Sequence, residues 1–365
     1  MKELTSRERI HRCYNHLEVD RPGVYIRWGG MEDNQDVTYR ELKRLVLEKT
    51  DRKQLILAEQ FVGSPPIKSY LEPYDQDFDC RVTLLETSRG NLVQRDLVGR
   101  HGQPGYRKEH FLKEEADAEK YLSLPYPDIG GDCSAFFAAL ETMGDRGVVE
   151  SDLGLNPASI VVELFGTEIF AILSIEGRET LHRLMARECE IKCRLVRYLL
   201  ERGIGPYFAM SGEEYLVPPL HGREDFFDFN VRYDRPITDL VHDAGARVHV
   251  HCHGSIESVI DGFVALGADV LHPFEAPPLG DITPKKAKEA LRGKVTLEGN
   301  IQIGDMYGKH PGEIRDQVRD LIADGFEDHR GLIVCPTASP YIPGAGERCT
   351  PNYRAMVEAV LSASD

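Results

Sequence analysis

The segment Arg247-Val248-His249-Val250-His251-Cys252-His253-Gly254 carries histidines at three alternate positions. In a strand, side chains alternate between faces, so His249, His251 and His253 share one face while Val250 and Cys252 share the other. Two imidazoles at i and i+2 reach one ion, and an ion of the zinc type takes three or four N, S or O ligands. Hydrogen-bonded core histidines fit the same pattern, so the companions matter. Glu275 follows His272-Pro273-Phe274, in a proline-stiffened loop running on to Asp281, and is a candidate oxygen ligand or general base. Asn300 and Gln302, after Leu297-Glu298-Gly299, offer amides to a polar substrate. Cys335 offers a thiol, Glu214 a second carboxylate, and Arg27-Trp28 a cation beside an aromatic ring. Each also has an ordinary structural use: loop acids bond local backbone, Asn after Gly shapes turns, and a small thiol packs under helices.

These residues share one property, which is that each follows a short apolar run. The runs are Val24 to Trp28, Leu55 to Ala58, Val148 to Ser151, Tyr207 to Met210, Arg247 to Gly254, Val270 to Pro273, Val295 to Gly299 and Leu332 to Cys335. Helical segments separate them, such as Pro236 to Ala244 and Ile256 to Leu266. Eight strands alternating with helices over roughly 250 residues predict an α/β fold, a (β/α)8 TIM-type barrel, whose active site collects at the strand C-terminal ends. An N-terminal helical extension precedes it. Thr5 and Glu8 have capping-box spacing, and Ile10, Cys13, Tyr14 and Leu17 fall on one face before Asp20-Arg21-Pro22. Arg81 to Thr87 and Leu92 to Val98 flank Ser88-Arg89-Gly90-Asn91, which predicts an extra β-hairpin outside the barrel wall. No repeat or linker divides the chain, so 1–365 is expected to be one domain, with Pro125 to Gly131 as an irregular crossing.

Composition narrows the class. The chain has 365 residues, 41% of them hydrophobic, and a net charge of −16, which disfavours nucleic acid as a partner. No run approaches the roughly 18 apolar residues of a spanning helix, and the N-terminus lacks an apolar signal core, so a cytoplasmic protein without membrane contact is expected. The eight cysteines then read as reduced thiols, with Cys189 and Cys193 one helical turn apart as packing residues. A homodimer is the expected assembly.

A resemblance adds to this. Thr5-Ser6-Arg7-Glu8-Arg9-Ile10, Asn15 to Pro22, Tyr233-Asp234-Arg235-Pro236-Ile237, His251 to Gly254, Glu298-Gly299-Asn300-Ile301 and Thr350 to Val357 together resemble the uroporphyrinogen decarboxylase superfamily, nearly end to end. The true decarboxylases carry an Arg-Gln-Ala-Gly-Arg-Tyr signature where this chain has Ile26-Arg27-Trp28-Gly29-Gly30. The chain looks more like the cobalamin-linked methyltransferase branch, whose zinc is held by a His-x-Cys-Gly strand end, a Glu from the next strand and a Cys after the last. That resemblance implies a divalent metal, zinc foremost, held by His251, His253, Glu275 and Cys335, with His253 in place of the family thiolate. In the family register Ala338, not Cys335, falls at the last cysteine, so Cys335 serves only with a local shift. Their places at the strand ends make Glu275 and Glu214 the expected catalytic carboxylates, with Arg27, Trp28, Asp281, Asn300 and Gln302 around a small-molecule substrate. No Asp-x-His-x-x-Gly corrinoid signature is present, so cobalamin would arrive on a separate corrinoid protein. Two alternatives remain: a metal-independent decarboxylase, and a non-catalytic module that binds a tetrapyrrole or corrinoid.

Overall fold

The computed structural model describes residues 3–27 and 36–364. The first helix, Ser6–Tyr14, is capped as its sequence requires: Thr5 accepts from the Glu8 amide, and the Glu8 side chain accepts from the Thr5 amide. Its buried face is Arg9, Ile10, Cys13 and Tyr14. The helix stops before Leu17, which is 44% exposed and takes no part in that face.

Among the described residues twelve strands follow: β1 (Gly23–Val24), β2 (Arg52–Leu57), β3 (Ile67–Pro73), β4 (Phe78–Leu85), β5 (Leu92–Gly99), β6 (Tyr106–Glu109), β7 (Gly147–Leu155), β8 (Tyr207–Ser211), β9 (Arg247–Cys252), β10 (Val270–Pro273), β11 (Thr296–Ile301) and β12 (Leu332–Pro336). Eight of them form one parallel sheet in the order β1-β12-β11-β10-β9-β8-β7-β2. Its two ends meet at Asp51. The Asp51 amide donates to Val24 O at 2.8 Å, and the Asp51 carboxylate accepts from the Val24 amide at 2.9 Å. Arg9 bonds the same carboxylate at 2.6 Å, so the N-terminal helix is tied to the seam that closes the barrel. The expected (β/α)8 barrel is the fold.

The expected hairpin is β4 and β5, paired antiparallel from Phe78↔Gly99 to Leu85↔Leu92. It is the centre of a four-stranded sheet, β3-β4-β5-β6, whose edge strands have no sequence signature because they bury so little: β3 is exposed along nearly all its length. The excursion leaves and returns at one neck, where Val62 bridges Ile129 and the Gly63 amide donates to Asp128 O at 2.8 Å. Cys189 and Cys193 are free thiols packed on the buried face of helix Arg178–Glu201. Among the described residues, no single helix is long and apolar enough to cross a membrane.

Candidate functional site

Strand β9 alternates as its sequence dictates. Val248, Val250 and Cys252 are buried, while His249 and His251 line the barrel interior, with Val270 and His272 of β10 beside them in register. The rings form a stack: His251 and His272 lie 4.9 Å apart at 21°, and His253 stands edge-on to His251 at 4.6 Å.

The hydrogen bonds orient these rings. His251 Nδ1 lies 2.8 Å from His272 Nδ1, and His272 Nε2 lies 3.1 Å from Pro336 O. A carbonyl only accepts, so His272 Nε2 carries its hydrogen and His272 Nδ1 accepts from His251 Nδ1. That leaves His251 Nε2 with its lone pair at the barrel mouth. Burial, the Arg27 guanidinium and His253 hold His251 far below the usual imidazole range, so it stays neutral and able to ligate. His253 Nδ1 meets Glu275 Oε2 at 3.1 Å, and the Gly254 amide donates to the same oxygen at 3.0 Å. A carboxylate on the far nitrogen of a histidine is the arrangement that fixes metal-ligating imidazoles elsewhere.

Two carboxylates at the mouth are pushed apart in acidity. Burial would raise Glu275, but the hydrogen bonds from His253 and Gly254 and the charge of His253 outweigh it and hold the group below its ordinary range. Burial dominates at Glu214, which is raised despite His253 and Arg27 nearby. Their environments thus push the two acids in opposite directions. Arg27 Nη1 stands 3.4 Å from His251 Nδ1, and since the hydrogen there is given to His272 at 2.8 Å, this longer approach acts through charge and not as a second hydrogen bond. Thus His251, His253, Glu275, Glu214, Arg27 and Gln302 converge.

Three other expected residues are placed differently, and Trp28 lies outside the described residues. Asp281 Oδ1 accepts from the amides of Ile256 and Glu257, at 2.8 and 2.9 Å. Asn300 spends its amide on Phe274 O at 3.1 Å, buttressing the loop that carries Glu275. Cys335 points into the barrel, but Sγ lies 3.8 Å from His272 Nε2, on the side of that ring away from the His251 contact. It belongs with His272 and Glu298, and ligand atoms of these three lie within 4.8 Å of one another, a group able to bind a metal.

Beneath the mouth lies a group of charges that the sequence did not single out. Lys53 Nζ sits 2.7 Å from Glu298 and 3.5 Å from Glu150, all buried, and the Tyr14 hydroxyl donates to Glu150. His249 Nε2 faces Glu298 Oε1 at 3.4 Å. A narrow cavity of about 30 Å³ reaches down from Arg27 and His251 to Lys53 and His249. The available signal was strand register: β10 sets His272 beside His251, and β2 begins at Arg52, early enough to include Lys53.

Comparison with known proteins agrees with this architecture. A methyltransferase from Methanosarcina mazei superposes over 100% of both chains with a TM-score of 0.63 at 14% identity, a likeness of fold. A B12-independent methionine synthase from Shewanella sp. W3-18-1 aligns over 83% of this chain and 78% of its own, with a TM-score of 0.47 and 12% identity. No curated protein matches in sequence. The family model described as Uroporphyrinogen decarboxylase (URO-D) matches residues 157–360, more than half of the chain and the part that holds β8 to β12. The chain therefore belongs to the uroporphyrinogen decarboxylase (URO-D) family.

Proposed function

We propose that this protein is a metal-dependent methyltransferase acting on a small molecule, with the methyl group carried by cobalamin on a separate corrinoid protein. The observation that carries the reading is the orientation of His251: its Nδ1 is spent on His272, which turns Nε2 to the mouth beside His253 and Glu275. Family membership and the shared fold with a methyltransferase support it.

The residue types at the mouth suit a divalent ion, zinc foremost. His251 and His253 would offer Nε2, and Glu275, which holds His253 Nδ1 at 3.1 Å, would join them by releasing that ring, a three-ligand set that leaves the open position a catalytic metal keeps for substrate. Such an ion supplies Lewis acidity, lowering the pKa of a bound methyl acceptor. This set is harder than a thiolate-rich one and suits an oxygen-bound acceptor. Arg27 orients an anionic group of the substrate. Glu214, whose burial favours its neutral form, is the candidate acid at the mouth, and the unpartnered Gln302 amide nitrogen is a donor for substrate. Residues 1–365 act as one domain, and the assembly is a homodimer in the cytoplasm.

The test is metal content followed by turnover. Protein purified without chelators should hold about one zinc-type ion per chain. The His251→Ala/His253→Ala variant should lose it, together with methyl transfer from methylcobalamin. A wild-type protein that is metal-free, or that releases carbon dioxide from an acidic substrate without metal, would overturn the reading in favour of decarboxylation.

A further inference from the structure

We propose that the barrel core contains a second metal site, below the mouth, made by His249 Nε2, His272 Nε2, Glu298 Oε1 and Cys335 Sγ, and that it is filled as an alternative to the mouth set. The donor set is two nitrogens, one oxygen and one sulfur, the chemistry of a tetrahedral zinc-type ion. Ligand atoms of His272, Glu298 and Cys335 lie within 4.8 Å of one another, and His249 stands at the edge of that group, its ring centroid 6.0 Å from that of His272, and closes on it when the ion binds. Cys335 Sγ is 3.8 Å from His272 Nε2 and His249 Nε2 is 3.4 Å from Glu298 Oε1. With metal bonds of about 2.0–2.3 Å, the corners of a tetrahedron stand roughly 3.3–3.8 Å apart.

Independent evidence comes from unmet valences. His249 Nε2 and Glu298 Oε1 are buried and face each other at 3.4 Å without a well-formed hydrogen bond, and neither has another partner. A buried polar atom left so costs about 1–3 kcal/mol unless something occupies it. Glu298 has one oxygen to spare because Lys53 holds the other at 2.7 Å. The cavity that reaches His249 from the mouth gives an ion a route.

The exclusivity follows from one shared hydrogen, and this part rests on the mouth reading above. His251 and His272 meet Nδ1 to Nδ1, so only one of them carries hydrogen there. With it on His251, His251 Nε2 is a free donor for the mouth, and His272 Nε2–H bonds Pro336 O. With it on His272, His272 Nε2 is free for the deep site, and His251 Nε2 is protonated and cannot ligate. The Pro336 carbonyl biases the pair towards the mouth, and loss of the mouth ligands releases the deep site.

Cobalt(II) titration of the full chain tests this, since thiolate ligation gives a strong sulfur-to-cobalt charge-transfer band. Wild type should bind one cobalt. His253→Ala, altered at a 37% exposed side chain, should still bind one, now with the full band. Cys335→Ser should bind one without the band, and His253→Ala/Cys335→Ser should bind none. A His253→Ala protein without the band, or a band that survives in the double variant, overturns the deep site. Two cobalt ions in wild type overturn the exclusivity. If Cys335→Ser binds no cobalt while His253→Ala keeps its band, the mouth reading fails and the deep site stands. Should Cys335→Ser fail to fold, Glu298→Gln in the His253→Ala background serves instead, and retention of the banded complex there overturns the proposal.

Discussion

Lys53 sits between Glu150 and Glu298, with Tyr14 capping Glu150. Burial alone would expel its charge, but the two carboxylates outweigh that and raise its pKa, while Lys53 and His249 draw Glu298 down to about 2. Removing the ammonium strands two buried carboxylates, so Lys53→Met should cost about 3–5 kcal/mol, seen as a lower denaturant midpoint. Lys53→Met with Glu298→Gln should cost less than the single change, because fewer charges are left uncompensated. A second buried acid pair has the opposite sign. Burial raises Asp234 to about 8, and burial with the charge of Asp234 raises Glu213. The folded state holds protons that the unfolded chain releases near pH 4, so stability from these groups is full below that and is lost as pH rises towards 8. Melting should therefore weaken across that window, by up to about 1.4 kcal/mol per pH unit for each proton. Asp234→Asn keeps the bond with Asn156 and should flatten the slope; an unchanged slope would show that other groups set it.

Strands carry the site because parallel barrel strands are apolar runs that end in polar residues, which is why all eight were legible in the sequence. The side-chain alternation of β9 was legible too, and with it His249 and His251 as interior residues. What the sequence hid depends on pairing across strands. His272 reads as one histidine before a proline until β10 is set against β9, and Cys335 looks available to the mouth until the His272 ring is seen between them. Lys53 and Glu298 look like ordinary charges in separate strands. Asp281 and Asn300 read as substrate ligands because their type and loop position suit that role, whereas their actual bonds are to backbone. The β10–β11 joint is unusually close: a Cβ on Gly299 would lie 2.4 Å from Pro273 O. Gly299→Ala must part those strands just before Glu275, at about 1–3 kcal/mol. Weaker metal binding should accompany the lost stability, measured by competition with a chelator. Stability lost with metal affinity intact would separate the joint from the site.

The antiparallel sheet poses the question of whether the molecule unfolds in one step. Its own apolar cluster is Cys80, Val82 and Leu97, with Phe78 and Val93 packed against it. Burying three such residues contributes roughly 1.5–3 kcal/mol each. Ordering each residue of the β3–β6 segment costs about 1–2 kcal/mol in backbone entropy alone, so the cluster falls far short of holding the sheet by itself. The rest of the stabilisation comes from the barrel. Leu85 and Leu92, at the β4–β5 end, belong to the main core, as do Leu112 and Ala118 beyond β6. Arg107 pairs with Glu163 at 2.6 Å, His110 bonds Glu163 O at 2.8 Å, and the Leu112 amide donates to Leu164 O at 2.9 Å, all on helix Pro157–Phe165. The sheet is thus an outgrowth that borrows its stability from the helices it touches. Calorimetry of the full chain should show one cooperative transition with equal calorimetric and van't Hoff enthalpies per cooperative unit. Glu163→Ala, which removes the Arg107 and Tyr215 contacts at that junction, should lower the single transition without splitting it. A separate low-temperature step, with the sheet melting while the barrel signal persists, would instead make residues 63–128 an independent unit.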